Sequence, residues 1–432
     1  MTGRIGGWLS VLLLVLAAGG VSCSSGTARP TARPGATVKP AAAGPKVYEL
    51  EDERFTVQTV LSGLDVPWSL AWLPDGAMLV AERAGRLLIV DPHGQTPRQV
   101  IRIGGVDSSG DHGLMGLALS PQFGSDRFLF LSYTTRKGDR LVSRISRFVF
   151  QVDRLFDETV LIDDLPAAGS PDGLPLRFGP VGMLCAATGD GGGGQLAQDV
   201  GSLAGKFLRI NKYGRPPRDN PLALADGSRS PVWTWGHRNC QGFSWHPLTG
   251  QLYATEHGPA AGVEAILGGG DELNRIQKGR NYGWPLFHHD ANGILAGARC
   301  AGPLAQWTPG VGPAGAVFYT GDKFPSLRNK LLFVALRGEA LACVTFDEKN
   351  PDRVDEVSAV LERQFGRLRA VAVGPDGLIY LTTSNRDRRG VAMASDDRVL
   401  QLTPVVEKGG KMIKPKKDKK SRWGFQSPKH DM

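Results

Sequence analysis

The chain has 432 residues, 57 of them Gly and 29 Pro, with a formal net charge of +9. That length can bury a large core, and the glycine and proline load argues against a helical protein and for strands joined by many turns. Between Glu407 and Met432 nine Lys and Arg stand against three Asp and Glu, so six of the nine net positive charges sit in the tail. The body is left without the charge of a nucleic-acid surface, and no nucleic-acid partner is expected.

Residues 1–23 read as an export signal. Arg4 supplies a positive start, and WLSVLLLVLAAGG is an apolar run too short to span a bilayer as a typical helix. The run ends in GGVSC, which resembles the lipobox of bacterial lipoproteins, with Cys23 as the acylated first residue of the mature chain; Gly20 stands where a leucine is usual. The expectation is an exported protein held at the outer face of the cell membrane through Cys23, with plain secretion as the alternative. Residues 24–50, rich in Pro, Ala and Thr from Gly26 to Lys46, read as a disordered tether.

From 51 to 405 one pattern recurs. Units begin at Leu73 (LPDGAMLVAE), Ser120 (SPQFGSDRFLFLSY), Gly179 (GPVGMLCAATGD), His246 (HPLTGQLYATEHGP), Phe324 (FPSLRNKLLFVALRGE) and Gly374 (GPDGLIYLTTSN). Each has a turn of Pro, Gly or Asp, a short apolar run and a polar corner. Such spacing predicts an all-β fold, a six-bladed β-propeller with a disordered N-terminal tether and a basic C-terminal tail. The corners carry Glu82-Arg83, Gly189-Asp190, Glu256-His257, Arg337-Gly338 and Ser384-Asn385, and one order of elements places them on one face. Residues 406–432 read as a disordered Lys-rich tail, either solubilising or attaching to an anionic lipid or cell-wall polymer.

The densest polar stretch runs from Val232 to Pro285. Arg238 and Asn239 lie between Gly236 and Gly242, where a flexible backbone lets polar side chains turn toward a ligand. Glu256, Gly258, Pro259, Asp271, Glu272 and Tyr282 follow, an oxygen-rich set of the kind that hard cations use. Cys185 and Cys343 lie in apolar runs and read as buried thiols. Cys240 and Cys300 lie in loops of an exported protein, where a disulfide between them is expected as one possibility. No pair has CxxC spacing.

The strings GHRNCQG, EHGP, GDELNRI and NYGWP, in that order, together with VPWSLAWLPDG, SLAGKFLRIN and GRLRAVAVGPDG, resemble the soluble quinoprotein sugar dehydrogenases, a family that includes glucose/sorbosone and aldose sugar dehydrogenases. The resemblance covers about Val57 to Thr403. It implies a six-bladed propeller that uses pyrroloquinoline quinone (PQQ) and calcium to oxidise a sugar or other alcohol, with an external electron acceptor. By the same resemblance Arg238 and Asn239 contact the quinone, Arg367 and Arg369 grip its carboxylates, and Arg337 stands near a further basic position. Gly258 and Pro259 offer backbone carbonyls to the active-site calcium, and Glu272 and Tyr282, with the adjacent Asp271, match a second calcium site. His237 and His257 are expected to shape loops.

Two positions depart from the family. Its proton-accepting histidine falls on Pro171, which cannot transfer a proton, and Asp172 beside it is a candidate replacement. A glutamine that helps to bind the sugar falls on Asp111 in GDHGLMG, and neighbouring His112 is a second candidate base along with Asp111 itself. In addition, AAGVEAILGG lengthens the loop after Pro259. A catalytically degenerate propeller that binds a sugar, a cell-wall glycan or a protein is therefore the alternative reading.

Overall fold

The computed structural model describes residues 45–94, 96–167, 173–259, 270–287, 294–295, 298–405 and 423–426. Cys23 and the signal, Pro171 and Asp172, the insert after Pro259 and most of the basic tail lie outside them.

Six antiparallel sheets, five of four strands and one of five, form the blades in chain order. Blade 1 spans residues 67–102, blade 2 114–166, blade 3 176–235, blade 4 240–307 and blade 5 313–360. Blade 6 takes three strands from 368–404 and its fourth, Glu53–Leu61, from the start of the body. That strand pairs with Val399–Pro404, Val57 opposite Leu402, and so closes the ring. Each recurrent unit of the sequence supplies the second strand of one blade, as expected.

Burial explains the strand patterns. Second strands such as Met78–Glu82, Leu331–Ala335 and Ile379–Thr383 are buried at every position because blades cover both faces. By contrast, the outermost strand of blade 1, Pro97–Arg102, alternates between half-buried and exposed. The PDG turns of blades 1 and 6 share one chemistry. Gly76 and Gly377 have φ of +87° and +78°, and Asp75 and Asp376 accept from the N–H of Ala77 and Leu378 at 3.0 Å.

The innermost strands of all six blades line a central channel of about 90 Å³. They approach too closely for side chains at some points. A Cβ on Gly242 would stand 2.3 Å from the Ala314 oxygen and 2.5 Å from the Ala316 nitrogen, and one on Gly116 would stand 2.5 Å from the Leu174 oxygen. In five blades the innermost strand also carries a one-residue bulge near its start; the extra residues are Trp68, Met115, Gln241 and Arg369 in blades 1, 2, 4 and 6. A bulge re-aims the side chain that it inserts, and these bulges lie at the end of the channel where the polar corners gather.

Two expected boundaries shift. Val47–Leu50, assigned to the tether, forms an outer strand on Glu53–Leu61, Tyr48 opposite Phe55, and Phe55 is fully buried. Trp423–Gln426, assigned to the disordered tail, is docked: the Trp423 N–H donates to the Val357 carbonyl, its indole donates to Glu362 at 2.7 Å, and Gln426 exchanges backbone hydrogen bonds with Gln306. An aromatic pair, Trp423 and Phe425, drives this by packing on the core between blades 4 and 5. Among the described residues no helix is long and apolar enough to cross a membrane.

The close packing makes a direct prediction. Gly242→Ala should lower unfolding free energy in urea by about 1–3 kcal/mol, because the new methyl meets backbone on the neighbouring blade. Gly124→Ala, facing open space, should change it by less than about 0.5 kcal/mol. Equal stabilities for the two variants would contradict this packing.

Candidate functional site

Blade 4 presents Arg238 and Asn239 from a loop that only glycine can begin. Gly236 has φ of +77°, and a Cβ there would stand 2.2 Å from Asn281 Oδ1. Glu256, buried, clamps the loop: Oε1 accepts from the Arg238 N–H at 2.5 Å, and Oε2 lies 3.0 Å from His237 Nδ1. Burial alone would raise its carboxyl, but the neighbouring imidazole and the N–H and thiol donors outweigh it and keep it ionised. The Arg238 guanidinium donates to the His257 carbonyl at 3.3 Å and lies 5.6 Å from the Trp284 ring. Asn239 is oriented by two donors to its Oδ1, the Gly173 N–H at 3.1 Å and Gln241 Nε2 at 2.7 Å. Its Nδ2 is buried with no hydrogen-bond partner among the described residues. A buried donor without an acceptor is expensive, and a ligand carbonyl over the channel would satisfy it.

Blade 6 brings Arg367 and Arg369 to the same mouth. Both guanidiniums face one carboxylate: Asp387 Oδ2 lies 2.9 Å from Arg367 Nε and 3.6 Å from Arg369. Burial pushes the Arg369 guanidinium down to about 10, which leaves it protonated at neutral pH. Burial would raise the Asp387 carboxyl, but the two arginine charges win and hold it below the usual range. Arg369 also lies 3.7 Å above the Trp68 ring of blade 1, the bulge residue there. Asp111 is shared in the same way. Arg389 grips it with two nitrogens at 2.8 and 2.6 Å, and Arg83 stands 4.0 Å off. Each carboxylate therefore serves two guanidiniums, which leaves positive charge for an anionic ligand with bidentate acceptors. Arg337 lies exposed at the blade 5 corner.

His112 heads the innermost strand of blade 2 and is only 8% exposed. Desolvation lowers its pKa against the opposing pull of Asp111 and Asp107, and Nδ1 is buried without a partner among the described residues. At neutral pH burial keeps it an uncharged imidazole. Asp111, the other described candidate base, is spent on Arg389.

A cavity of about 20 Å³ opens below Arg238, bordered by Glu256, Gly258, Pro259, Gly270, Glu272 and Tyr282. It has room for one water-sized occupant among oxygen donors, which suits a hard cation. Asp271 and Tyr282, expected with Glu272 at a second calcium site, hold backbone groups through their side chains. Asp271 spends one oxygen on the Gly258 N–H at 2.9 Å and the other on the Gly312 N–H at 2.6 Å, which staples the loop rather than facing the cavity. Tyr282 donates its hydroxyl to the Arg275 carbonyl and accepts from the Gln277 N–H, so only its ring and backbone border the space. The expected Cys240–Cys300 disulfide is absent; both are free and buried, and Cys240 instead meets Glu256 at 3.1 Å. Gln241, Trp68, Asp387 and Arg389 were not singled out in the sequence. The first two act through bulges that periodicity does not reveal; the other two lie in SNRDRRG, directly after the blade 6 corner.

Residues 64–392 match the family model described as Glucose / Sorbosone dehydrogenase. The chain is 32% identical over 344 residues to an aldose sugar dehydrogenase of Escherichia coli strain K12, covering 76% of this chain and 89% of that protein. It is 31% identical over 454 residues to quinoprotein glucose dehydrogenase B of Acinetobacter calcoaceticus, covering 84% and 91%. Among solved structures, the PQQ-bound form of aldose sugar dehydrogenase from Streptomyces coelicolor is similar with a TM-score of 0.66 at 33% identity, covering 81% of this chain and 98% of that one.

Proposed function

The chain belongs to the glucose/sorbosone dehydrogenase family, and from that premise we propose a quinoprotein that takes PQQ and calcium and oxidises an aldose sugar or another alcohol, passing electrons to an external acceptor. The observation that carries the reading is the unpartnered Nδ2 of Asn239, aimed by Gly173 and Gln241, beside guanidiniums that outnumber their carboxylates. Arg238 and Asn239 would hold the quinone carbonyl side, and Arg367 and Arg369 its carboxylates. The Gly258 and Pro259 carbonyls would offer oxygens to the active-site calcium and Glu272 to a second one; all three residues border the small cavity below Arg238. When bound, PQQ supplies the two-electron acceptor and calcium polarises its carbonyl.

What remains for the protein is to hold the sugar and take its hydroxyl proton. His112 fits that task in place of Pro171: burial keeps it neutral and Nδ1 has no partner among the described residues. Because the shift is downward, the competent neutral form persists below the ordinary histidine range, so activity should fall only on acidification below about 6.5. His112→Gln should reduce aldose-dependent dye reduction by the PQQ- and calcium-loaded protein ~10²–10⁴-fold and abolish that acid limb. Wild-type turnover in the variant would remove His112 from the role.

Pro171 itself favours a second reading, a propeller that binds a sugar, glycan or protein without turnover. Sugar-dependent thermal stabilisation with no dye reduction over a panel of aldoses would select it. For location, the GGVSC end of the signal supports export and lipidation at Cys23. Cys23→Ser should move the protein from the membrane fraction to the soluble exported fraction; unchanged membrane partitioning would count against the anchor.

A further inference from the structure

Directly beneath the Arg238–Asn239 loop, three side chains of different chemistry converge. His237, Cys240 and Glu256 place one ligand atom each within 4.8 Å of one another, the one such group of three among the described residues. Nδ1 of His237 lies 3.0 Å from Glu256 Oε2, Cys240 Sγ lies 3.1 Å from that same oxygen, and Sγ and Nδ1 are 3.8 Å apart. A tetrahedral zinc ion with Zn–S of about 2.3 Å and Zn–N or Zn–O of about 2.0–2.1 Å separates its ligand atoms by roughly 3.3–3.6 Å. The three edges fall around that range, so small side-chain rotations would admit the ion.

We propose that His237, Cys240 and Glu256 form a structural zinc site, distinct from the oxygen-lined cavity, that fixes the loop presenting Arg238 and Asn239. The donor set selects the metal. One sulfur, one imidazole nitrogen and one carboxylate oxygen suit a borderline-soft ion of low coordination number, not calcium, which needs six to eight oxygens. Charge agrees: the thiolate and the carboxylate cancel the two charges of zinc exactly where burial would penalise any net charge. His237 and Cys240 are 0% exposed and Glu256 is 5% exposed.

The surroundings already have the form that metal ligands need. Nε2 of His237, the ring nitrogen away from the cluster, is held by Thr234 Oγ1 at 2.8 Å, which fixes the ring. Oε1 of Glu256 is occupied by the Arg238 N–H, so Oε2 is the oxygen turned to the cluster. Tyr282 stacks on the His237 ring at 4.4 Å and Phe207 meets it edge-on at 5.2 Å, which screens the site from water. Of the three cluster residues, only Glu256 also borders the 20 Å³ cavity. Asn274, fully buried, bridges Glu256 Oε2 and Glu272 Oε2 with its Nδ2 at 3.2 and 3.0 Å, so a water completes the coordination of the ion. Binding displaces the Cys240 thiol proton, which leaves to solvent, and no electron is transferred.

The test uses the untagged full chain, stripped with a chelator and titrated with zinc or cobalt(II) in the presence of excess calcium. One zinc per chain should be retained after gel filtration, and cobalt should give a thiolate-to-metal charge-transfer band in the near ultraviolet. Cys240→Ser and His237→Gln should abolish the band, Cys300→Ser should keep it, and Thr234→Val should weaken zinc binding by about 10–100-fold. Absence of the band and of retained zinc in the wild type overturns the site, whatever the variants do; persistence of the band in folded Cys240→Ser overturns it as well.

Discussion

Everything in this protein depends on closing a ring. Six sheets have no shared centre until the strand Glu53–Leu61 pairs with Val399–Pro404, and only then do innermost strands from every blade face one channel. Closure forces those strands together so tightly that Gly116 and Gly242 meet backbone where a Cβ would be. It also turns the polar corners of distant segments toward one another. Arg83 and Arg389, separated by most of the chain, reach the same Asp111 only because blades 1, 2 and 6 are neighbours around the ring.

The mouth that results is electrostatically unfinished. Buried guanidiniums are tolerable when carboxylates and hydrogen bonds offset desolvation, and removing one partner of such a buried pair typically costs about 3–5 kcal/mol. Here Asp387 steadies two buried arginines, while Asp111 meets buried Arg83 and the solvent-exposed Arg389, a pair outside that buried class. That suffices for folding yet leaves attraction for added anions. The orphaned Asn239 Nδ2 is the matching polar deficit. Binding of an anionic cofactor would complete both.

Much of the fold was legible because its signal is local and repeated. PDG turns and short apolar runs mark each blade, and Asp75 and Asp376 perform the same turn chemistry in two of them. Ring closure was not legible, since nothing in Glu53–Leu61 says that its partner lies more than 300 residues away. Arg238, Asn239, Arg367 and Arg369 were readable as motif residues. Gln241, which aims Asn239, was hidden in a bulge. Asp271 and Tyr282 had suitable chemistry, but backbone partners claim Asp271's oxygens and Tyr282's hydroxyl. The His237–Cys240–Glu256 cluster was invisible for another reason: its third member arrives through strand pairing, Cys240 opposite Glu256, and no spacing rule encodes that.

We propose that this mouth carries out quinone-dependent alcohol oxidation although the resemblance puts Pro171 at the family's base position. Single-turnover absorbance of the PQQ- and calcium-loaded protein, mixed with an aldose and with its C1-deuterated form, tests it most directly. Reduction of the bound quinone that slows on deuteration is the predicted result; a spectrum unchanged by saturating aldose would contradict the claim.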